Sequence, residues 1–344
     1  MRNKLIAVAL SAAVTLPAAT AFAKENLDVV STFPKDMMFL GEGLTHFAEV
    51  AGKISGGDLN LIIHGAGDMV PALEVFSAVS QGSVPVGYDW MGYWGGKIPV
   101  ANLAGALPFG PSPEVAVDWM WEGGGREIIQ SAYDEHNIKF LPCVVVAPEP
   151  AGWFRKEMNT PKDFDGLRMR IGGLGGLVVA KLGASPQVIP GGEVYVSLDR
   201  GRIDAAEFSL PAIDESLQLY KAADYYYFPG WHQPSSFNSV LVNMDVWNKF
   251  SEIQQSQMEA ACRSTVVWSL TNAVQNQADA LERMEAAGIK VRRFSDEILT
   301  ALAEATDEVV ASEMKKDETF KRAYESLEAH MERSDRWNKL QSLK

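Results

Sequence analysis

The chain has 344 residues, 47% hydrophobic and 22% charged, with a formal net charge of −13 at pH 7. That is more chain than one hydrophobic core usually organises, and it points to two domains. An acidic balance without basic clusters excludes a nucleic-acid surface and docking on anionic membranes, though not a small anion held by one local arginine.

The first segment in chain order stands outside the fold. Met1 to Lys4 is short and basic, residues 5–16 are apolar, and Ala21-Phe22-Ala23 is a small-x-small cleavage pattern. Residues 1–23 therefore read as a secretory signal peptide cut after Ala23, its apolar part short of the roughly 20 residues a bilayer span needs. The mature chain is then 344 less 23, or 321 residues, and loss of Arg2 and Lys4 takes the net charge from −13 to −15. Residues 27–31 read as a strand and 43–54 as a helix with Phe47, Val50 and Ala51 on one side. A strand at 60–64, a helix at 70–79 and a strand at 84–90 follow, and 116–137 is helical but interrupted by Gly123-Gly124-Gly125. Residues 138–146 form a buried strand. This rhythm is that of an α/β domain with a mostly parallel sheet.

A second α/β unit starts near Glu149. In it 167–171, 188–190, 203–208 and 225–228 read as strands, and 175–182, 194–200 and 213–220 as helices. Residues 239–244 read as a strand returning to the first domain. Residues 246–287 are then helical over an unusual length, a spine along both domains. Residues 295–340 are a second helical stretch, whose alternating acids and bases suit a solvated face or a face docked on a partner subunit. The only cysteines, Cys143 and Cys262, either pair, as an exported chain allows, or stay as two buried thiols. The expected fold is α/β: a two-lobed, hinged clam with more than one crossing, a long spine helix, and a cleft at the carboxyl ends of the strands. Lobe I takes residues 24–148 plus about 238–265, lobe II takes 149–237 plus about 266–294, and 295–344 form a C-terminal helical region with a possible role in dimerisation.

Residues 149 to 207 carry the chemistry. Glu149 precedes Gly152-Trp153-Phe154-Arg155-Lys156, and Gly166-Leu167-Arg168-Met169-Arg170-Ile171-Gly172-Gly173 follows. Then comes Gly201-Arg202-Ile203-Asp204-Ala205-Ala206-Glu207. An arginine fork matches a carboxylate, and two carboxylates beside it hold a cation or an ammonium group, so the combination describes a pocket for a small organic acid. The run Gly172-Gly173-Leu174-Gly175-Gly176 lacks the phosphate-loop lysine and serine, and instead permits close backbone approach near Arg170. An enzyme is the reading of a different class. The five histidines, His46, His64, His136, His232 and His330, form no His-x-x-x-His pair, and no Gly-x-Ser-x-Gly elbow occurs. A hydrolase built on Ser209 and His232 has no positive support, and His232 reads as a surface or hinge histidine.

Taken together, Gly152-Trp153-Phe154, the Met169-Arg170-x-Gly-Gly segment, Gly191-Gly192 with Tyr195, Ile203 to Glu207 and Tyr225-Tyr226-Tyr227-Phe228-Pro229-Gly230-Trp231 resemble one family. Phe33-Pro34-Lys35 and Gly67-Asp68-Met69-Val70-Pro71-Ala72-Leu73-Glu74 fit as well. The family is the periplasmic solute-binding proteins of tripartite ATP-independent periplasmic (TRAP) transporters, nearest the 2-oxo acid branch. The resemblance implies a periplasmic receptor, not an enzyme, that hands its ligand to the transporter's membrane subunits. It implies Arg170 as the clamp on the substrate carboxylate, and Glu207 with the Phe208 carbonyl as ligands of a cation that the substrate also touches. Glu149 stands where the branch usually has a glutamine cation ligand, and Phe208 where it usually has tryptophan. The extra negative charge favours Ca²⁺ over Na⁺ among hard oxygen ligands, since only a divalent ion neutralises one arginine, two glutamates and a monocarboxylate. The rival is an amine-bearing acid held by Glu149 without metal. Trp90, Tyr93, Trp94, Tyr195 and Trp231 are candidate aromatic walls or caps, Phe33 and Phe39 a candidate apolar wall, and Trp153 is expected beneath the Arg170 strand. The branch includes dimers joined through a C-terminal helix, so a homodimer is among the expectations.

Overall fold

A computed structural model describes residues 25–342; the segment read as a signal peptide, 1–23, lies outside the described residues. The described residues form two sheets. The first contains β1 (Glu25–Ser31), β2 (Leu59–His64), β3 (Val86–Trp90) and β4 (Ile138–Val146). The second contains β5 (Gly152–Phe154), β6 (Arg168–Arg170), β7 (Ser185–Gln187), β8 (Ala205–Ala206) and β9 (Tyr225–Phe228). The chain then returns to the first sheet as β10 (Ser236–Asn243) and later adds β11 (Lys290–Arg293) to the second. The strand orders are β2-β1-β3-β10-β4 and β11-β9-β5-β8-β6-β7. In the first sheet β1 runs parallel to β2 and β3, while β10 lies antiparallel between β3 and β4.

Side-chain alternation builds both cores at once. Along β4, Val145 enters one apolar cluster while Val144 and Val146 enter the other; Ala205 and Ala206, Trp153 and Phe154, and Tyr226 and Tyr227 divide the same way. A period of two sends neighbours to opposite faces, so both faces of each sheet are covered, and every residue of the central strand β10 is buried. Each large side chain fully buried here contributes about 1.5–3 kcal/mol.

Helices wrap these sheets. In the first half they are α1 (Leu40–Ile54), α2 (Val75–Ser80), α3 (Pro99–Gly105), α4 (Pro113–Glu122) and α5 (Gly125–Asp134), the last two split at the expected glycines. Then come α6 (Gly173–Lys181), α7 (Gly191–Asp199) and α8 (Pro211–Ser216). The remaining helices are α9 (Met244–Trp247), α10 (Glu252–Asn272), α11 (Gln277–Ala286), α12 (Asp296–Lys316) and α13 (Glu318–Gln341).

Three expectations change. The single helix over 246–287 is three pieces: α10 is capped by Ser251, and Asn276 sits at φ 66°, a left-handed conformation asparagine tolerates, which turns the chain into α11. The spine therefore runs in segments, α10 against α1 and β4, α11 against α8. Residues 295–340 are two helices, because Asp317 takes an extended conformation and caps α13 by accepting from Phe320 N at 2.6 Å. The strand read at 188–190 lies instead at 185–187, where Met169 pairs with Pro186, and Pro190 opens α7.

Cys143 on β4 and Cys262 on α10 form a disulfide, resolving the two alternatives. The charge-rich C-terminal stretch packs on its own chain: α12 on α6, α13 on α3, α4 and α5. No helix among the described residues is long and apolar enough to cross a membrane.

Candidate functional site

Strand register assembles the charged centre. Residues Arg170 and Ala206 are partners in the parallel pair β6–β8, so Glu207, one step beyond, falls beside Arg170, and its N–H donates to the Arg170 carbonyl at 3.1 Å. On the other side β5 runs antiparallel to β8. Gly152 makes that fit possible: its φ is +117°, and a Cβ there would come within 2.9 Å of Glu207 Cα. Glu149 is delivered by the connection between β4 and β5, its N–H donating to Gln233 O at 3.3 Å. Gly230 lies so close beneath it that a Cβ would collide with the Glu149 carbonyl.

All three charged residues are buried. Arg170 Nη1 donates to Glu207 Oε1 at 2.6 Å and to the Glu207 carbonyl at 2.8 Å, while Nε donates to Ile189 O at 3.2 Å. Among the described residues Nη2 has only the Tyr93 hydroxyl as a partner, at 3.4 Å. The Phe208 ring covers the guanidinium 5.2 Å from Cζ. Glu149 Oε1 accepts from Ser209 Oγ at 2.9 Å, whereas Glu149 Oε2 is buried without a hydrogen-bond partner. These residues line a cavity with about 330 Å³ of empty space, together with Phe33, Leu40, Trp90 and Val146 on an apolar side and Gln233, Ser236 and Asn238 on a polar one.

Electrostatics separate the two glutamates. Burial pushes the Glu149 carboxyl well above the usual carboxylate range, and the Glu207 charge pushes it further, against the Ser209 hydrogen bond. Burial also acts upward on Glu207, but Arg170 and His232 outweigh it and hold Glu207 below its ordinary value. Arg170 is raised: burial opposes its charge, and Glu207, Tyr93 and Glu149 more than compensate. Behind them Asp214, pushed up to about 7 by burial, accepts hydrogen bonds from Trp153 Nε1 and Tyr226 OH, each at 2.8 Å.

The sequence-derived candidates divide. Glu149, Arg170, Glu207, Phe208, Trp90, Tyr93 and Phe33 meet at this cavity. Trp90 and Tyr93 contact edge to face at 5.0 Å. Tyr195 is half-buried on α7 and does not line the cavity, and neither does Trp231, which packs on Phe109 with ring centroids 6.0 Å apart. Phe39 stacks on Trp268 at 5.6 Å instead, Trp94 turns into the core to bond Asp89, and Trp153 stacks on Tyr226 at 3.9 Å. His232 is not a surface histidine. It is 2% exposed, with Nε2 3.5 Å from Glu207 Oε2, and neither ring nitrogen has a hydrogen-bond partner. The cause is glycine packing: a Cβ on Gly175 of α6 would come within 3.0 Å of His232 Cβ. The glycine run 172–176 was the signal that could have found it. Gln233, Ser236 and Asn238 carried no comparable signal. Ser209 Oγ donates to Glu149. Glu149, Glu207 and His232 each offer one potential metal ligand, all within 4.8 Å of one another.

The chain is similar to several known proteins. The chain is 36% identical over 319 residues to a monocarboxylate 2-oxoacid-binding periplasmic protein of Nostoc sp., covering 92% of this chain and 86% of that one. A TRAP transporter solute-binding protein of Bordetella bronchiseptica, a dimer with copurified calcium and picolinate, superposes with TM-score 0.90 at 30% identity over 93% of this chain and 95% of that one. A TRAP periplasmic solute-binding protein of Pseudoalteromonas atlantica, with sodium and pyruvate bound, gives TM-score 0.89 at 29% identity over 92% and 97%. Residues 30–317 match family 7 of the bacterial extracellular solute-binding proteins, and the chain belongs to that family, the DctP-type solute receptors of TRAP transporters.

Proposed function

We propose that this receptor captures a small 2-oxo or 2-hydroxy monocarboxylate together with a bridging cation in the periplasm, and delivers it to TRAP membrane subunits. One observation carries the reading. A buried arginine with one free N–H edge faces a buried glutamate oxygen that has no partner. An orphaned buried acceptor is costly, and a cation satisfies it. The ligand carboxylate takes Arg170 Nη2 and the Tyr93 hydroxyl. Glu149 and Glu207, with the Phe208 backbone carbonyl, hold the ion, which also meets the ligand's carboxylate and 2-oxygen. The grip on the acid is thus one guanidinium edge plus a phenol, rather than a full two-pronged fork, because Nη1 and Nε already serve Glu207 and Ile189. The relatives named above hold calcium or sodium beside an acid. With both glutamates ionised, calcium brings the closed site to neutrality; sodium does so only where Glu149 keeps its proton. Phe33, Leu40 and Val146 form the apolar side of the cavity, which suits a short carbon chain. Exposed Trp337 and Leu340 near the end of α13 offer apolar surface for a second copy.

Mass spectrometry of small molecules released from purified protein, with elemental analysis, tests the reading. A 2-oxo or 2-hydroxy acid with one equivalent of calcium is expected. An amine-bearing acid with no metal would replace this reading with the amino-acid one. Unchanged ligand on recovery accords with a receptor, and turnover of the acid would indicate an enzyme. Arg170→Ala is expected to weaken acid binding at least about 30-fold by calorimetry, since removing one partner of a buried charged contact costs about 2–5 kcal/mol.

A further inference from the structure

Each acid of the site places one oxygen in a side-chain hydrogen bond within the protein. Glu207 Oε1 takes Arg170, and Glu149 Oε1 takes Ser209. Glu149 Oε2 is left without a partner, and Glu207, whose carboxylate the Gly172 backbone N–H also approaches, has Oε2 3.5 Å from the Nε2 of an imidazole whose two nitrogens lack hydrogen bonds. His232 is 98% buried, so neither nitrogen reaches water readily. A buried imidazole without a hydrogen bond is unusual, because a polar group buried unpaired is destabilising. One ligand atom from each of these three side chains falls within a 4.8 Å group, close enough to share a single ion.

Resting on the proposed cation site, we infer that His232 is a third protein ligand, and that the centre is a mixed nitrogen–oxygen site which takes a first-row divalent ion of the zinc class and lets it compete with calcium. Calcium is a hard ion that selects oxygen and gains little from an imidazole. First-row divalent ions gain from imidazole nitrogen. Two carboxylates and one histidine are moreover a donor set that zinc accepts, with the remaining position open to the acid's oxygens. The histidine thus alters which ion the receptor accepts, while the acid contact remains with Arg170 and Tyr93.

The test uses full-length mature protein stripped with a chelator. Zn²⁺, Co²⁺ and Ca²⁺ are titrated separately with pyruvate present, in the wild type and in His232→Gln, which keeps a hydrogen-bonding group but removes the ring nitrogen. In the wild type, Zn²⁺ is expected to displace Ca²⁺ at a concentration at least about tenfold lower than the calcium present. In the variant that preference should fall about tenfold or more, and the Co²⁺ absorption bands should change. If Zn²⁺ preference and the Co²⁺ spectrum are the same in both proteins while calcium still supports pyruvate binding, His232 only packs against Glu207; the inference falls and the receptor reading stands. If no cation affects pyruvate binding in the wild type, the reading of the site falls with it. Should the variant not fold, pulsed electron paramagnetic resonance of Cu²⁺-loaded wild type decides: imidazole nitrogen coupling supports the ligand, and its absence overturns it.

Discussion

Glu149 is the residue on which the site's ion chemistry turns. Its carboxyl is buried beside a second acid, so its charge is tolerated only when something positive arrives. Replacing it by glutamine keeps an oxygen ligand and removes one unit of negative charge. Glu149→Gln is therefore expected to move cation preference from calcium toward sodium, read by calorimetry of pyruvate binding in calcium or sodium buffers. Unchanged calcium dependence would show that charge counting at this position does not set the ion. The arginine and both glutamates were legible in the sequence because each stands at an element edge, in or near the motifs that carry the family resemblance. His232 was not legible, since its burial depends on Gly175 from a helix 57 positions away in the chain. Tyr195 and Trp231 looked like caps because aromatic residues near a glycine turn suit a ligand equally well as a core; their direction is settled by packing that a single sequence does not contain.

Elements were legible where alternation was strong and poorly so where a local cap decided the outcome. Strand β4, an apolar run, matched its pattern, whereas the Ser251–Gln254 capping pair that starts α10 fell inside what read as one longer helix. The breaks at Asn276 and Asp317 did not announce themselves, because asparagine and aspartate occur inside helices as well as at their ends. Between elements, the Cys143–Cys262 disulfide ties β4, beside the cleft, to α10. It closes a loop of 119 residues, and bonds of this span commonly stabilise by about 2–5 kcal/mol by restricting the unfolded chain. The double variant Cys143→Ser with Cys262→Ser is expected to melt several degrees lower while keeping its ligand affinity, since neither sulfur lines the cavity. A melting temperature equal to the wild type would mean that the bond does not form in the exported protein. Gly152→Ala belongs to the same scale: with φ at +117° and Glu207 Cα in the way, it should lower both stability and acid affinity, the second measured as a weaker dissociation constant.

Across the whole molecule, buried carboxyls set the response to pH. Asp89 lies in the first sheet between the Trp94 indole and the Ser239 hydroxyl, its carboxyl pushed up to about 6 by burial. Asp214 lies behind the second sheet and is pushed up to about 7 by burial. In the unfolded chain both ionise near 3.8. Between that value and the raised one, the folded protein keeps protons that the unfolded chain has released. Stability therefore falls as pH rises through this window, and the loss is complete above the folded values. Surface pairs act in the opposite direction. The Asp204 carboxyl is held down by Arg168, and Glu215 by Arg283, so their contribution is present at neutral pH and lost as acid protonates them. The two trends cross in mildly acidic solution. Calorimetry of chelator-treated, ligand-free protein is expected to give its highest melting temperature near about pH 4, with a decline through pH 5, 6 and 7. A flat or rising melting temperature over that range would mean that both carboxyls are ionised within the folded cores, where Trp94, Ser239, Trp153, Tyr226 and the Ser209 backbone would then supply enough hydrogen bonding to hold two buried charges without a cation.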